Sequence, residues 1–192
     1  MQVKIFLIII TTSYVYANNI QYKQFQNFMN VNKEIVLNIQ IRQHQFGKQY
    51  DTTGKLYFIN DEKYVYDTKN QRISYDNGSL ETINKATKQV IYDRDIDNSL
   101  SIINLLSGRD NRIEITETIL DKLGNRISFF LNDWDLEGDI WTVPRTGRPI
   151  KIKLVLAVDE YMILNIDSLE IYPNVEIPEF EISGFEIIDL RE

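Results

Sequence analysis

Short segments in which apolar and polar residues alternate occupy most of this 192-residue chain. In the stretch IVLNIQIRQ, Leu37, Ile39 and Ile41 alternate with polar neighbours, which is typical of a strand with one solvated face. Comparable segments follow, and they are GKLYFIN, KYVYDT, RISYD, ATKQVIYD, RIEITETIL, RISFFLND, DIWTV, PIKIKLVLAV and YMILNIDSLEI. Turn signals such as Asn77-Gly78 separate them. The regular spacing predicts a meander, barrel or sandwich within one domain.

Two segments depart from this period and predict helices. Residues 19–29 place Ile20, Phe25 and Phe28 at amphipathic spacing. The second segment, SLSIINLLSG, runs from Ser99 to Gly108, and both of these end residues are suitable helix caps. Its apolar residues at helical spacing are Leu100, Ile102, Ile103, Leu105 and Leu106. So apolar a helix must cover other apolar surface, either as an ordinary core helix or as a lid over the concave side of a curved sheet.

The amino terminus predicts export. Lys4 precedes an apolar run from Ile5 to Ile10, and Val15 and Ala17 are the small residues that signal peptidase prefers before a cleaved bond. The apolar run is shorter than the roughly 20 residues that a membrane span needs. We therefore expect residues 1–17 to be a cleaved signal peptide and residues 18–192 to form a single exported domain.

Composition excludes several classes of protein. The chain has a formal net charge of −7 and no cysteine. An acidic chain without a basic stripe is a poor ligand for nucleic acid or anionic lipid head groups. Without cysteine there is no disulfide, no thiol nucleophile and no thiol to carry a lipid anchor. The expected mature protein is therefore soluble, unanchored and unable to bind nucleic acid.

No motif in the sequence indicates catalysis or a metal site. The single histidine, His44, is expected in a solvent-exposed loop after a strand. The stretch DWDLEGD begins like a calcium-binding loop at Asp133, but its twelfth position is Pro144 instead of glutamate, which favours an acidic hairpin turn. The hydrolase and phosphate-loop signatures are absent from the sequence. We expect no enzyme activity, no metal and no cofactor.

The order of elements carries a resemblance to a known family. A signal segment and a leading helix are followed by a strand ending near Gln43, Gly54-x-Leu56, the aromatic stretch Tyr64–Tyr66, QRI, a turn ending in Gly78, Gln89-Val90, and an apolar helix ending in Leu105-Leu106. This order resembles the LolA family of periplasmic lipoprotein carriers, from about residue 19 to residue 185. The resemblance implies a mainly β protein, in which a curved, unclosed antiparallel half-barrel has a hydrophobic cavity under a helical lid.

The resemblance also implies a function and a set of sites. Such carriers are monomers that accept acylated lipoproteins from an inner-membrane exporter and deliver them to an outer-membrane acceptor. The lid is assigned to Leu100, Ile102, Ile103, Leu105 and Leu106. The lipid-binding cavity is assigned to Phe28, Leu37, Ile39, Leu56, Phe58, Tyr64, Tyr66, Phe129, Leu131, Leu154, Leu156, Met162 and Leu164.

One departure from the family leaves a second function open. The family has an Arg-Pro pair whose arginine helps to hold the lid closed, and the matching positions here are Asn60 and Asp61. The alternative function is a periplasmic domain that senses a lipid or a peptide on the same half-barrel. A secreted hydrolase is a third hypothesis, for which the sequence offers no positive signal.

The signal segment generates a first prediction. Because Val15 and Ala17 fit the cleavage rule, the mature protein is expected to begin at Asn18. N-terminal sequencing of the exported protein measures this directly. An intact terminus at Met1 would contradict it.

Overall fold

A computed structural model describes residues 20–30, 34–60, 63–94, 102–108 and 112–191. The predicted signal peptide, residues 1–17, lies outside these ranges. Helix α1 covers residues 20–29, helix α2 covers Ile102–Leu106, and Asn132–Trp134 form a short 3-10 turn. The strands are β1 (Glu34–Gln45), β2 (Lys48–Asn60), β3 (Lys63–Thr68), β4 (Gln71–Asp76), β5 (Ser79–Asn84), β6 (Gln89–Arg94), β7 (Ile113–Leu120), β8 (Asn125–Leu131), β9 (Leu136–Thr142), β10 (Pro149–Ala157), β11 (Glu160–Tyr172) and β12 (Glu186–Asp189).

The twelve strands form one open sheet. Their order is β12-β6-β5-β4-β3-β2-β1-β11-β10-β9-β8-β7, so that β12 and β7 are its two edges. Consecutive hairpins build both halves, and the long β11 joins them by pairing with β1. Every neighbouring pair is antiparallel except β12 and β6, which run parallel. The antiparallel sheet predicted from the sequence is therefore confirmed for eleven strands and corrected for β12.

The sheet curves around the helices. Nine neighbouring strands, from β4 to β7 in the sheet order, contribute apolar side chains on one face to a single cluster that also contains residues of α1 and α2. Neighbouring strands are spaced about 4.8 Å apart, so these nine strands would span about 38 Å if the sheet were flat. A helix with its side chains is only about 10 Å across. Two short helices can bury so wide a face only if it is concave.

The apolar band crosses the strands obliquely. The buried apolar residues of β2 are next to the first residues of β1, where Ile35 pairs with Phe58. The buried apolar residues of β11 and β10 are instead next to the later residues of β1, where Leu164 pairs with both Ile41 and Ile152. An oblique band is the pattern expected when strands are tilted relative to the axis of a barrel-like sheet.

Two glycines make room for aromatic rings on the concave face. A Cβ atom at Gly54 would lie 2.7 Å from the ring of Tyr66 and 2.6 Å from the carbonyl oxygen of Asp67. A Cβ atom at Gly138 would lie 2.3 Å from the ring of Phe129. In each half of the sheet, a ring therefore packs directly onto the backbone of the neighbouring strand, which only glycine permits.

The convex face is crossed by an extended segment that we call the C-terminal strap, residues 173–185. The backbone amide of Val175 donates to the carboxylate of Glu34. Farther along, the guanidinium of Arg72 donates to the carbonyl oxygen of Pro178 at 2.7 Å, and the Lys85 ammonium lies 5.0 Å from the ring centre of Phe180. The strap then leads into β12 at the sheet edge.

The strap explains why apolar side chains are buried on both faces of the first half of the sheet. Ile83 and Val90 are opposite each other in β5 and β6, next to Arg72 in β4. All three are buried, and they face away from the helices. The sequence predicts no strand or helix after residue 172, so neither the strap nor β12 was expected.

One other element was placed incorrectly. The sequence predicted a single strand over ATKQVIYD, whereas residues 85–88 form a turn and β6 begins at Gln89. The preceding segment, SLETIN, is β5. Among the described residues, no helix has the length and apolar character that crossing a membrane requires.

The packing at Gly54 gives a second prediction. Gly54→Val is expected to lower the free energy of unfolding by about 2–3 kcal/mol, because its side chain would collide with rigid backbone and with the Tyr66 ring. Urea unfolding followed by circular dichroism measures the change. Thr52→Val is the matched control, since Thr52 lies exposed two residues earlier in β2, and it should change stability by less than about 0.5 kcal/mol. Equal stabilities of the two variants would contradict the prediction.

Candidate functional site

The concave face brings the predicted cavity residues together. Ten of them are buried in the apolar cluster, namely Leu37, Ile39, Leu56, Phe58, Tyr64, Tyr66, Phe129, Leu131, Leu154 and Leu164. The other three, Phe28, Leu156 and Met162, are partly buried against it. No member of the cluster carries a charge. The face therefore offers a non-directional apolar surface, which suits a hydrocarbon ligand better than a polar one.

Helix α2 covers this face. Of the residues assigned to the lid, Ile102, Ile103, Leu105 and Leu106 belong to the cluster, and the last two are fully buried. Leu100 and Ser99 lie outside the described residues. The part of the predicted helix that the structure describes is helical over Ile102–Leu106.

The end of α2 is held by α1. Gly108 has the positive φ of 66° that is common after a helix, and its amide donates to the carbonyl oxygen of Leu105 at 3.2 Å. Its carbonyl oxygen accepts a 2.6 Å hydrogen bond from Nε2 of Gln26 and a 3.4 Å bond from the hydroxyl of Tyr22. The predicted cap role of Gly108 is confirmed, but its partners on α1 were not predicted. They have no sequence signal, because the pairing depends on how the two helices cross.

The position of the family arginine is occupied by the last residue of β2. Asn60 is exposed at the end of that strand, and Asp61 lies outside the described residues. Helix α2 is nevertheless packed against the sheet in this structure. The contacts at Gly108 show that α1 takes part in holding it there.

Two hydroxyl groups on the concave face are buried and have no hydrogen-bond partner among the residues that the structure describes. They are Oη of Tyr66 in β3 and Oγ1 of Thr142 in β9, five strands apart in the sheet order. Burial raises the pKa of the Tyr66 phenol to about 12. The phenol therefore stays protonated and neutral at any physiological pH, and it is a donor in otherwise apolar surroundings.

His44 and the acidic turn lie at one end of the sheet. His44 belongs to β1 and not to a loop, which corrects the sequence analysis. Its ring stacks on that of Tyr161, with 5.4 Å between ring centres, and Nδ1 lies 2.5 Å from the carbonyl oxygen of Asp159. DWDLEGD contains the 3-10 turn and the start of β9. Within the described ranges, no three acidic or histidine side chains are grouped closely enough to hold a metal ion.

A separate pocket of about 300 Å³ opens near the β7 edge. Its lining includes Ser128, Glu137 and Asp139 as well as the Phe129 ring. The Ser128 hydroxyl donates to Asp139 at 2.6 Å, so two of the polar groups of this pocket are engaged with each other. Its two carboxylates make it a poor site for an acyl chain.

Comparison with known proteins finds similarity of structure only. The chain matches no family model and no curated protein sequence. An uncharacterized conserved protein from Thermus thermophilus aligns with a TM-score of 0.56 and 6% identity, over 85% of this chain and 94% of that one. This likeness establishes a shared fold.

Two further solved structures align at lower TM-scores. A LolA superfamily protein from Nitrosomonas europaea has a TM-score of 0.47 and 10% identity, over 82% of this chain and 93% of its own. LprF from Mycobacterium bovis has a TM-score of 0.45 and 9% identity, over 85% of this chain and 96% of its own. The open, mainly antiparallel sheet predicted from the sequence is confirmed by the strand topology, and both described helices pack on one face of it.

The contact between α1 and α2 gives a third prediction. Gln26→Ala removes the 2.6 Å bond to Gly108, which contributes about 1 kcal/mol to holding α2 down. Hydrogen exchange at the Leu105 and Leu106 amides should therefore become about fivefold faster. Lys23→Ala is the control, because Lys23 is on the exposed side of α1. Unchanged exchange in Gln26→Ala would show that this bond does not hold the helix.

Proposed function

We propose that this chain is a periplasmic carrier that binds the acyl chains of lipoproteins between the concave face and α2. It would take them from an inner-membrane exporter and deliver them to an outer-membrane acceptor. It is a monomeric binding protein and not an enzyme, and it needs no cofactor. The observation that carries the proposal is the pairing of a broad, uncharged apolar face with a five-residue helix as its movable cover.

The size of α2 supports its role as a lid. An isolated helix shorter than about 12 residues is unstable in water, so α2 depends on its contacts with the sheet and with α1. When it lifts, an acyl chain can enter beneath it and lie between the concave face and the four buried apolar side chains of α2. The exchange replaces one apolar contact by another, so that the open and closed states need to differ by only a few kcal/mol.

The need for such a carrier follows from the cost of exposing lipid. Transfer of an acyl chain from an apolar site to water costs about 0.8 kcal/mol for each methylene. An acylated protein therefore crosses an aqueous compartment only when its chains are shielded. A concave face with a weakly held cover shields the chains and still releases them.

Native mass spectrometry of the protein purified from the periplasm tests the function directly. Acylated protein or lipid bound at one copy per chain is the expected result. A co-purified peptide without an acyl group would favour the alternative, a sensing domain. Protein purified without any ligand, and unable to take up a fluorescent fatty acid, would contradict both.

A substitution in α2 gives the fourth prediction. Ile103 is 6% exposed, and Ile103→Glu places a carboxylate against the apolar face. Because a charge is costly to desolvate, the helix should lift, and affinity for a fluorescent fatty acid should fall at least tenfold while the protein stays folded. Fluorescence titration and thermal unfolding are measured on the same samples.

The control for this experiment is Val158→Glu. Val158 is 91% exposed in the turn between β10 and β11, so the same change should alter neither stability nor binding. Global unfolding of Ile103→Glu would make α2 a core helix instead of a lid. Normal binding by the folded variant would remove α2 from the site.

A further inference from the structure

The Tyr66 ring has a fixed place on the concave face. Tyr66 pairs with Leu56 on one side and with Ile73 on the other, and its ring lies over the backbone of Gly54. Only 6% of the residue is exposed. Because backbone lies beneath the ring and apolar side chains flank it, its hydroxyl is held at a defined position.

The hydroxyl at that position has no protein partner. Its oxygen is buried, and nothing in the part of the chain that the structure describes forms a hydrogen bond with it. Buried hydroxyls are nearly always paired, because leaving one unpaired costs free energy. Phenylalanine would fill the same space without that cost. The hydroxyl therefore needs an explanation that the apoprotein does not supply.

An acyl ligand would supply the missing acceptor. The hydrocarbon tail has no hydrogen-bonding atom, but each acyl chain is attached through an ester, amide or carboxyl group whose carbonyl oxygen accepts a hydrogen bond. We propose that the Tyr66 hydroxyl donates to the acyl carbonyl, so that the site distinguishes an acylated molecule from a plain hydrocarbon of equal length. This inference rests on the proposed function, since it requires an acyl chain on the concave face.

The neutral state of the phenol fits this role. Burial holds its pKa near 12, so the group donates a proton throughout the physiological range and presents no charge to the apolar chain beside it. The interaction is a neutral hydrogen bond. Its loss should weaken binding by about fivefold.

The test compares two ligands of matched length in displacement of the fluorescent hydrocarbon diphenylhexatriene. Methyl laurate carries an ester carbonyl, and tetradecane does not. Tyr66→Phe should lower the affinity for methyl laurate by about fivefold and leave that for tetradecane unchanged or higher. Because each ligand is compared between protein variants, its own solubility in water cancels.

Tyr64→Phe is the matched control. Tyr64 lies two residues away on the same face, has the same 6% exposure, and stacks on Tyr75 with 5.2 Å between ring centres. Its substitution should shift the affinities for the two ligands by the same factor. Thermal unfolding should show that Tyr66→Phe is at least as stable as the wild type, because it removes an unpaired buried hydroxyl.

The outcomes separate this inference from the proposed function. If the wild type binds both ligands and Tyr66→Phe shifts both equally, the carbonyl contact is wrong while the acyl-binding function stands. If the wild type binds neither ligand, the proposed function fails and the contact fails with it. A selective loss of methyl laurate binding in Tyr66→Phe alone supports the contact.

Discussion

The burial of one wide apolar face by two short helices is the interaction on which the rest of this structure depends. Nine strands contribute side chains to a single cluster, and α1 and α2 cover it. A sheet this wide buries its inner face under so little helix only when it is strongly curved. The glycines at positions 54 and 138 serve the same end, since each allows an aromatic ring to lie flat on the backbone. Curvature, ring placement and lid thus follow from one apolar surface.

The two halves of the sheet are stabilised differently. Next to the β12 edge, strands β4 to β6 also bury Arg72, Ile83 and Val90 on the convex face, where the C-terminal strap crosses. Arg72 lies between the carbonyl oxygen of Pro178 and the carboxylate of Asp67, at 2.7 Å and 3.5 Å. The strap adds β12 in parallel and so protects the edge of β6, which would otherwise present unpaired backbone groups. This support lies on the face opposite α2, so movement of the lid need not disturb it.

Helix α2 combines deep burial with little intrinsic stability. Its four apolar side chains are among the least exposed of the described residues, yet a helix this short is not stable alone. The hydrogen bonds that α1 makes to Gly108 hold its end from one side. Under the proposed function, this arrangement lets α2 lift to admit an acyl chain and then cover the chain on the apolar surface. The unpaired Tyr66 hydroxyl would then give the surface a preference for one class of ligand.

The sequence by itself determined ten of the twelve strands, both helices and which strand faces are apolar. Period-two alternation places Leu37, Leu56, Phe129 and Leu154 on one side of their strands regardless of what surrounds them, and all four are buried together. These signals are local. They predict the fold correctly because a shift of one residue in strand register would turn all apolar side chains of that strand to the solvent.

Only the tertiary structure decided which distant segments meet. The strap has no periodicity of its own, and it is ordered by Glu34, Arg72 and Lys85, which lie about 90 to 140 residues earlier in the chain. The place of His44 within β1 depends on its partner strand, since Tyr161 and Asp159 flank it from the neighbouring hairpin. The unpaired state of the Tyr66 hydroxyl likewise depends on every group around it. Contacts of this kind depend on which distant segments the fold brings together, and this cannot be predicted from the local spacing of residue types.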